Sequence, residues 1–328
     1  MKGTLTQNGQ TIDADTDNVL AALAGTDFFW LDLDDEATDG TVSELLGVHF
    51  KFHPLAVEAA EKFGQRPRID DYDDFVYLVA RGVDTDGKGN SEVHCFWTDR
   101  YVVTLHRGPC GSTESVHAHM GKHHASQGAA APQVAVVYFV IDALVDSFFP
   151  VLAAFDDKID ALEDDILKAP TEEQLGVLFD MKRQLMNMRK VIAPQRDMMA
   201  SINSGINDLP AMTDEASRYF RDLYDHLIRL ADQVDSYRDL LGSVMDTHLS
   251  TVSNRLNVVM KQLAVIATIF LPLSFLTGFF GQNFSLLTNH YIDAGWTFWV
   301  FGIGLEVAAV IGLFVLFRKR GWLGGPTV

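Results

Sequence analysis

The chain of 328 residues is poor in cysteine, in positive charge and in the short motifs of catalysis. Its two cysteines, Cys95 and Cys110, give no disulfide framework and no zinc-finger spacing, which suits a reduced, cytosolic setting for the water-soluble part. Lys and Arg number 26 against 44 Asp and Glu, a formal net charge of -18. No nucleic-acid partner is expected, because phosphate binding needs clustered Lys and Arg; an acidic chain attracts cations instead. A Gly-x-Ser-x-Gly elbow, a phosphate-cradling Gly-rich loop and a zinc-protease motif are all missing, so the chain reads as a non-enzyme without an ATP site. Met1–Gly9 is polar and lacks the apolar core of a secretory signal. Repeats and low-complexity tracts are absent as well.

Long apolar runs, by contrast, are present. Leu263–Phe280 carries no charge, and Trp296–Phe317 is broken only by Glu306. Each is long enough to cross a bilayer. The linker between them, Gly281–Gly295, has no Lys or Arg, whereas Arg255 and Lys261 precede the first run and Arg318, Lys319 and Arg320 follow the second. The positive-inside rule therefore predicts a cell-membrane protein with two spans and both termini cytoplasmic. Trp296, Trp299 and Trp322 stand where interfacial aromatics belong.

A single 3-4 spacing runs from Asp222 through Asp225, Arg229, Asp232, Ser236, Asp239, Ser243, Asp246, Ser250, Ser253, Asn257, Met260, Ala264, Ala267, Leu271, Ser274 and Gly278 to Gly281. That spacing predicts one face of one helix, roughly 90 Å long at 1.5 Å per residue. The face is acidic at first and then polar or small inside the first apolar run. Lipid cannot cover such a stripe, which instead needs a water-filled path. Several copies of the helix would make a cation pore. Leu223, Leu227, Leu230, Val234, Tyr237, Leu241 and Val244 form a neighbouring apolar seam for packing.

Upstream, Phe28–Leu33, Phe75–Val83, Glu92–Thr98 and Tyr101–His106 have strand composition, and Pro54–Glu61 reads as a helix with Pro at its first position. From Val134 onward only helices are expected: Val134–Leu167, then Thr171–Ser204 interrupted at Pro194, then the long helix capped by Thr213. The fold class is α+β, an N-terminal α/β domain followed by a helical stalk and two transmembrane helices. The expected organisation is an α/β domain (1–132), a helical region and stalk (133–254), a pore helix continuous with the stalk (255–281), an outer loop (282–295), a second span (296–317) and a basic tail (318–328).

WLDL at Trp30–Leu33, HPLAVEAAEKFGQRPRIDDY at His53–Tyr72, DALVDSFF at Asp142–Phe149, KIDALEDDIL at Lys158–Leu167, KRQLMNMRKVIAPQRD at Lys182–Asp197, YFRDLYDH at Tyr219–His226, SNRLNVVMKQL at Ser253–Leu263 and IATIFLPLSFLTGFFGQNF at Ile266–Phe284 occur in that order. Together they make the chain resemble the CorA family of divalent-cation channels, which includes a zinc-transporting ZntB branch. The resemblance implies a homopentamer with a cytoplasmic funnel. It implies a filter at Gly281, Gln282 and Asn283, where the family hallmark is Gly-Met-Asn, and a pore lined by Asn257, Met260, Leu263, Ala267, Leu271 and Ser274. It also implies regulatory metal binding at Asp222, Asp86 and Asp246. Mg²⁺ is the implied cargo and regulator, with Co²⁺ and Ni²⁺ also carried. Gln282 in place of Met, and the absence of a Met-Pro-Glu-Leu stretch, keep a ZntB-like proton-coupled Zn²⁺ transporter as the alternative; a non-conducting membrane-anchored cation sensor is the third reading.

The chemistry suits that cargo. Mg²⁺ dehydrates reluctantly, and neutral amide oxygens can accept hydrogen bonds from its bound waters without trapping it. Met260, Leu263 and Leu271 could close the path by dewetting. Glu306, an ionisable group in mid-span, is expected to be neutral or hydrogen-bonded against the first helix. His117, His119, His123 and His124 have metal-ligand types, but a polar surface helix is the plainer expectation. His226 and His248 are expected to pack or hydrogen-bond.

Overall fold

The computed structural model describes residues 2–36, 40–83, 90–123, 131–205, 209–282 and 295–322, with the backbone course alone at 90, 118–123 and 298. Contacts divide the chain into two compact units: Met1–Asp165 with Thr171–Met245, and Ile166–Pro170 with Asp246–Val328.

The first unit is built on one seven-stranded sheet. Its strands are β1 (Lys2–Gln7), β2 (Gln10–Asp13), β3 (Phe29–Asp34), β4 (Arg68–Asp71), β5 (Val76–Val83), β6 (Asn90–Trp97) and β7 (Tyr101–His106), in the order β2-β1-β3-β7-β6-β5-β4. Only the central β3–β7 pair is parallel. Period-two alternation assigns the faces. Phe29, Leu31, Leu33, Tyr77, Val79, Phe96 and Val103 join a core with α1 (Thr16–Ala24), α2 (Thr41–Glu44) and α3 (Pro54–Glu61). The opposite face carries Trp30, Asp32, Thr104 and Trp97 and receives α4 (Gly111–His123) and α5 (Pro132–Asp146). β3, β5, β6, β7 and α3 fall where the composition places them; β1, β2 and β4 are additional.

The expected Val134–Leu167 helix is two. α5 stops at Ser147 and α6 covers Phe148–Lys168. Pro150 is one cause, since it has no N–H to give Asp146 O, and the neighbouring strand supplies another. Ser147 Oγ accepts from Val83 N at 2.8 Å and donates to Leu144 O at 2.6 Å. The chain passes so close that a Cβ on Gly82 would lie 2.7 Å from Leu144 O, so glycine is required there. Pro194 does not interrupt its helix, against expectation: α7 (Glu172–Asn203) runs straight through it. Proline removes one helical donor. The cost is offset by the buried flank (Val191, Ile192, Met198, Met199) and by Gln195, whose amide bonds Arg81 N at 2.8 Å and Arg81 O at 3.2 Å. Thr171 and Gln174 form a capping box at its start.

α8 (Ala216–Phe280) is a single helix of 65 residues. Thr213 Oγ1 caps it, accepting from Ala216 N at 3.1 Å. In the first unit its apolar seam is buried: Leu223, Leu227 and Leu230 expose nothing, and Val234, Leu241 and Val244 almost nothing. Phe220 stacks on Trp97.

The second unit contains the remainder of α8, a short α9 (Gly295–Thr297), a π-helical stretch (Phe298–Gly304) and α10 (Leu305–Lys319). Lys261 Nζ donates to Gly321 O at 3.2 Å and Thr277 Oγ1 lies 2.8 Å from Glu306 Oε1, so the two apolar helices run antiparallel. By length and composition three described stretches could cross a membrane. In Pro132–Lys168, 44% of the apolar window is buried, against 6% in Ala216–Phe280 and in Gly295–Lys319. The first stretch spends its apolar surface on the sheet; the other two leave theirs open.

Candidate functional site

Two arrangements carry chemistry. The first is the α8 stripe. Every member of the 3-4 series from Asp222 to Gly281 is at least partly exposed in the single chain. Asn257, Ala267 and Ser274 share that exposure, as do Met260 at 65%, Leu263 at 56% and Leu271 at 76%. Gly281 and Gln282 close the helix, with Gly281 N donating to Thr277 O at 2.9 Å and Gln282 N to Phe279 O at 3.3 Å. Asn283, Asp86 and His124 lie outside the described residues. Asp246 is exposed.

The second is a cluster in the first unit that periodicity does not reveal. His226 packs as expected, edge-on to Phe149 with ring centroids 6.1 Å apart, but its Nδ1 is buried without a hydrogen-bond partner. That nitrogen lies 4.0 Å from Asp142 Oδ1 and 3.9 Å from Asp146 Oδ1, while Nε2 is 3.7 Å from Asp222 Oδ2. Ligand-capable atoms of Asp142, Asp146 and His226 all fall within 4.8 Å of one another. Burial, followed by the Asp146 charge, pushes the Asp142 carboxyl up to about 6. Burial and the charges of Asp142, Asp222 and Asp146 also raise the Tyr138 hydroxyl. A bound cation would relieve both. Two carboxylates, an imidazole nitrogen aimed at them and surplus negative charge fit a divalent metal ion. The available signal in the sequence is two ligand-type pairs at i, i+4, Asp142/Asp146 and Asp222/His226.

His117 overturns the surface-helix expectation. Its Nε2 lies 2.9 Å from Thr4 Oγ1 and 3.2 Å from Asp32 Oδ2, and its ring stacks on Trp30 at 3.8 Å. Burial opposes ionisation of Asp32, but hydrogen bonds from His106 and His117 outweigh it and hold the carboxyl down at about 2. The group is a structural knot under the sheet. The side chains of His119 and His123 lie outside the described residues.

Comparison with known proteins agrees with the architecture. The family model described as CorA-like Mg2+ transporter protein matches residues 25–319. The cobalt/magnesium transport protein CorA of Thermotoga maritima is 33% identical over 291 residues, 86% of this chain and 80% of that one. YfjQ of Bacillus subtilis is 30% identical over 303 residues, 90% and 91% of the two chains. Among solved structures, the complete CorA magnesium transporter of Methanocaldococcus jannaschii matches with a TM-score of 0.82 at 20% identity, over 98% of this chain and 99% of that one, a likeness of fold.

Proposed function

The chain belongs to the CorA family, whose members are metal-ion transporters and not enzymes, and on that premise we propose that it is a divalent-cation channel of the cell membrane. The observation that carries this reading is the stripe on α8: one helix of 65 residues, exposed and polar or small along a single face, continues into an apolar segment. Copies of the chain, five by family pattern, would turn that face to a shared axis and leave the other faces to lipid and α10. Both termini are assigned to the cytoplasm by the positive charges flanking the spans.

The cargo is Mg²⁺, with Co²⁺ and Ni²⁺ also accepted. A hydrated ion meets the amides of Gln282 and Asn283 at the mouth, where Gly281 lets the backbone approach the axis. Met260, Leu263 and Leu271 form a collar that dewets when narrow. Membrane potential and the ion gradient drive entry. Asp222 acts with Asp142, Asp146 and His226 as the internal sensor, and Asp246 and Asp86 are further acidic positions. Cation binding there favours the closed state, and its loss lets the carboxylates repel one another, a population shift.

A second reading, Zn²⁺ transport coupled to protons, is favoured by one observation: His226 adds nitrogen to a carboxylate pair, a donor set better suited to Zn²⁺, Co²⁺ or Ni²⁺ than to Mg²⁺. The deciding experiment is uptake into liposomes holding the full chain, with Mg²⁺, Co²⁺, Ni²⁺ and Zn²⁺ in competition and with or without a pH gradient. Mg²⁺ flux without a pH gradient supports the channel; flux of Zn²⁺ alone with a gradient supports the alternative. No flux of any ion leaves a non-conducting sensor and sinks both.

A further inference from the structure

Glu306 stands near the middle of the second apolar helix, as the second residue of α10 after the π-helical stretch Phe298–Gly304. A π turn takes up extra residues and so rotates the next part of the chain around the helix axis. Here the rotated carboxyl meets α8. Thr277 Oγ1 lies 2.8 Å from Glu306 Oε1 and also 2.8 Å from Leu273 O, one turn back in its own helix. A threonine hydroxyl has one proton and can donate only once. When it donates to Leu273 O, as helical threonines do, its lone pair is left to accept. An ionised Glu306 has no proton to give and, among the described residues, would be a carboxylate at membrane depth held by one hydroxyl, an expensive state. A protonated Glu306 lets Thr277 Oγ1 donate to Leu273 O and accept from the carboxyl at the same time.

We propose that Glu306 is kept as a neutral carboxylic acid that donates its O–H to Thr277 Oγ1, fastening the second span to the last turn of α8. Thr277 O in turn accepts from Gly281 N at 2.9 Å, so the fastened turn is the one that presents Gly281 and Gln282. Glu306 is thus a positioning residue for the pore mouth. The inference rests on the pore reading.

The test is Mg²⁺ uptake by full-length protein in liposomes, with thermal melting of the same variants. E306Q, whose amide can still donate, keeps uptake within about twofold, whereas E306L and T277V each lose about fivefold, the worth of one membrane hydrogen bond. The double variant E306L/T277V is no worse than either single one. The infrared difference between wild type and E306Q shows a protonated carboxylic-acid carbonyl band at neutral pH. Wild-type uptake by E306L, an E306Q as poor as E306L, losses that multiply in the double variant, or a missing band would each overturn the proposal. If wild type itself carries no ion, the pore reading fails separately, and the infrared band and the melting cycle still decide the bond.

Discussion

In the sheet-bearing unit the largest aromatic side chains, Trp30, Trp97, Tyr77 and Phe29, are fully buried, while in the helical unit Trp296, Trp299, Phe270 and Phe275 are each more than 60% exposed. The first unit buries an extensive apolar core within one chain, although Val48, Leu55 and Phe179 stay exposed. The second does not: its buried apolar residues among those described are Val265 and Phe317, apart from Ile166 of its short first segment. A contiguous apolar surface of that kind needs lipid or further copies of itself. α8 passes through both units and shows both behaviours, with an apolar seam covered in one and open apolar faces in the other.

The sharpest way to break this contrast is to truncate an aromatic in each unit. Phe220 is fully buried against Trp97, and Phe220→Ala is expected to cost about 3–5 kcal/mol of folding stability. Phe275, 69% exposed, is expected to lose under about 1 kcal/mol when changed to Ala. Both are read by thermal unfolding of detergent-solubilised full chain. Equal losses would mean that Phe275 is packed in an assembly as tightly as Phe220 is in its own chain.

The next effect is on transport. Asn283→Ala is expected to lower uptake by at least about tenfold, the equivalent of about 1.4 kcal/mol in barrier. The same substitution should leave the melting of the sheet-bearing unit unchanged. Wild-type flux and selectivity in that variant would remove the amide ring from the pore mouth.

The two units also differ in how far their sequences can be read. On α8, Leu223 through Val244 keep helical period over many turns, and a long periodic signal predicts burial without any knowledge of partners. β1, β2 and β4 escape such a reading because KGTLTQ, QTID and RIDD are short and polar, and become strands only by pairing with neighbours already in the sheet. The break at Ser147 has a local signal in Pro150, which has no N–H to give Asp146 O, while the contact with Val83 and Gly82, from a strand more than 60 residues away, has none. Pro194 gives the wrong local signal, because tertiary packing outweighs it. The stripe is legible as a period. The Asp142–Asp146–His226 cluster is not, because it is made by two helices whose meeting no spacing encodes.

A smaller effect tests that cluster. Asp142 titrates at about 6 in the fold, above an ordinary carboxyl, so the folded chain binds more protons than the unfolded one at mildly acid pH. Its contribution to stability is present at acid pH and is lost as pH rises to and past about 6. A cation needs the ionised form and restores what was lost. Mg²⁺ or Co²⁺ at a few times its Kd should therefore stabilise by about 1 kcal/mol above neutral pH and by much less near pH ~5. Asp146→Asn or His226→Ala should erase that dependence. An unchanged cation shift in both would place the sensor elsewhere.

The smallest effect is expected on the acidic face of α8 within the first unit. Arg238 bonds Asp239 at 3.0 Å, with the Asp side chain 74% exposed. Exposed pairs of this kind contribute about 0–1 kcal/mol, because water screens the charges and two long side chains must be ordered. Arg238→Ala should change melting by no more than about 0.5 kcal/mol, and added salt should shrink even that. A larger loss confined to Arg238→Ala comes from Asp235, 3.4 Å away with its Oδ1 buried. If Arg238→Ala instead destabilises the full-length protein by several kcal/mol and Asp239→Asn does the same, the pair is desolvated by another copy of the chain, since Asp239 is largely open to water in its own unit. The contrast between a self-satisfied unit and an open one would then have to be redrawn, with the acidic face of the sheet-bearing unit also counted as an interface between copies.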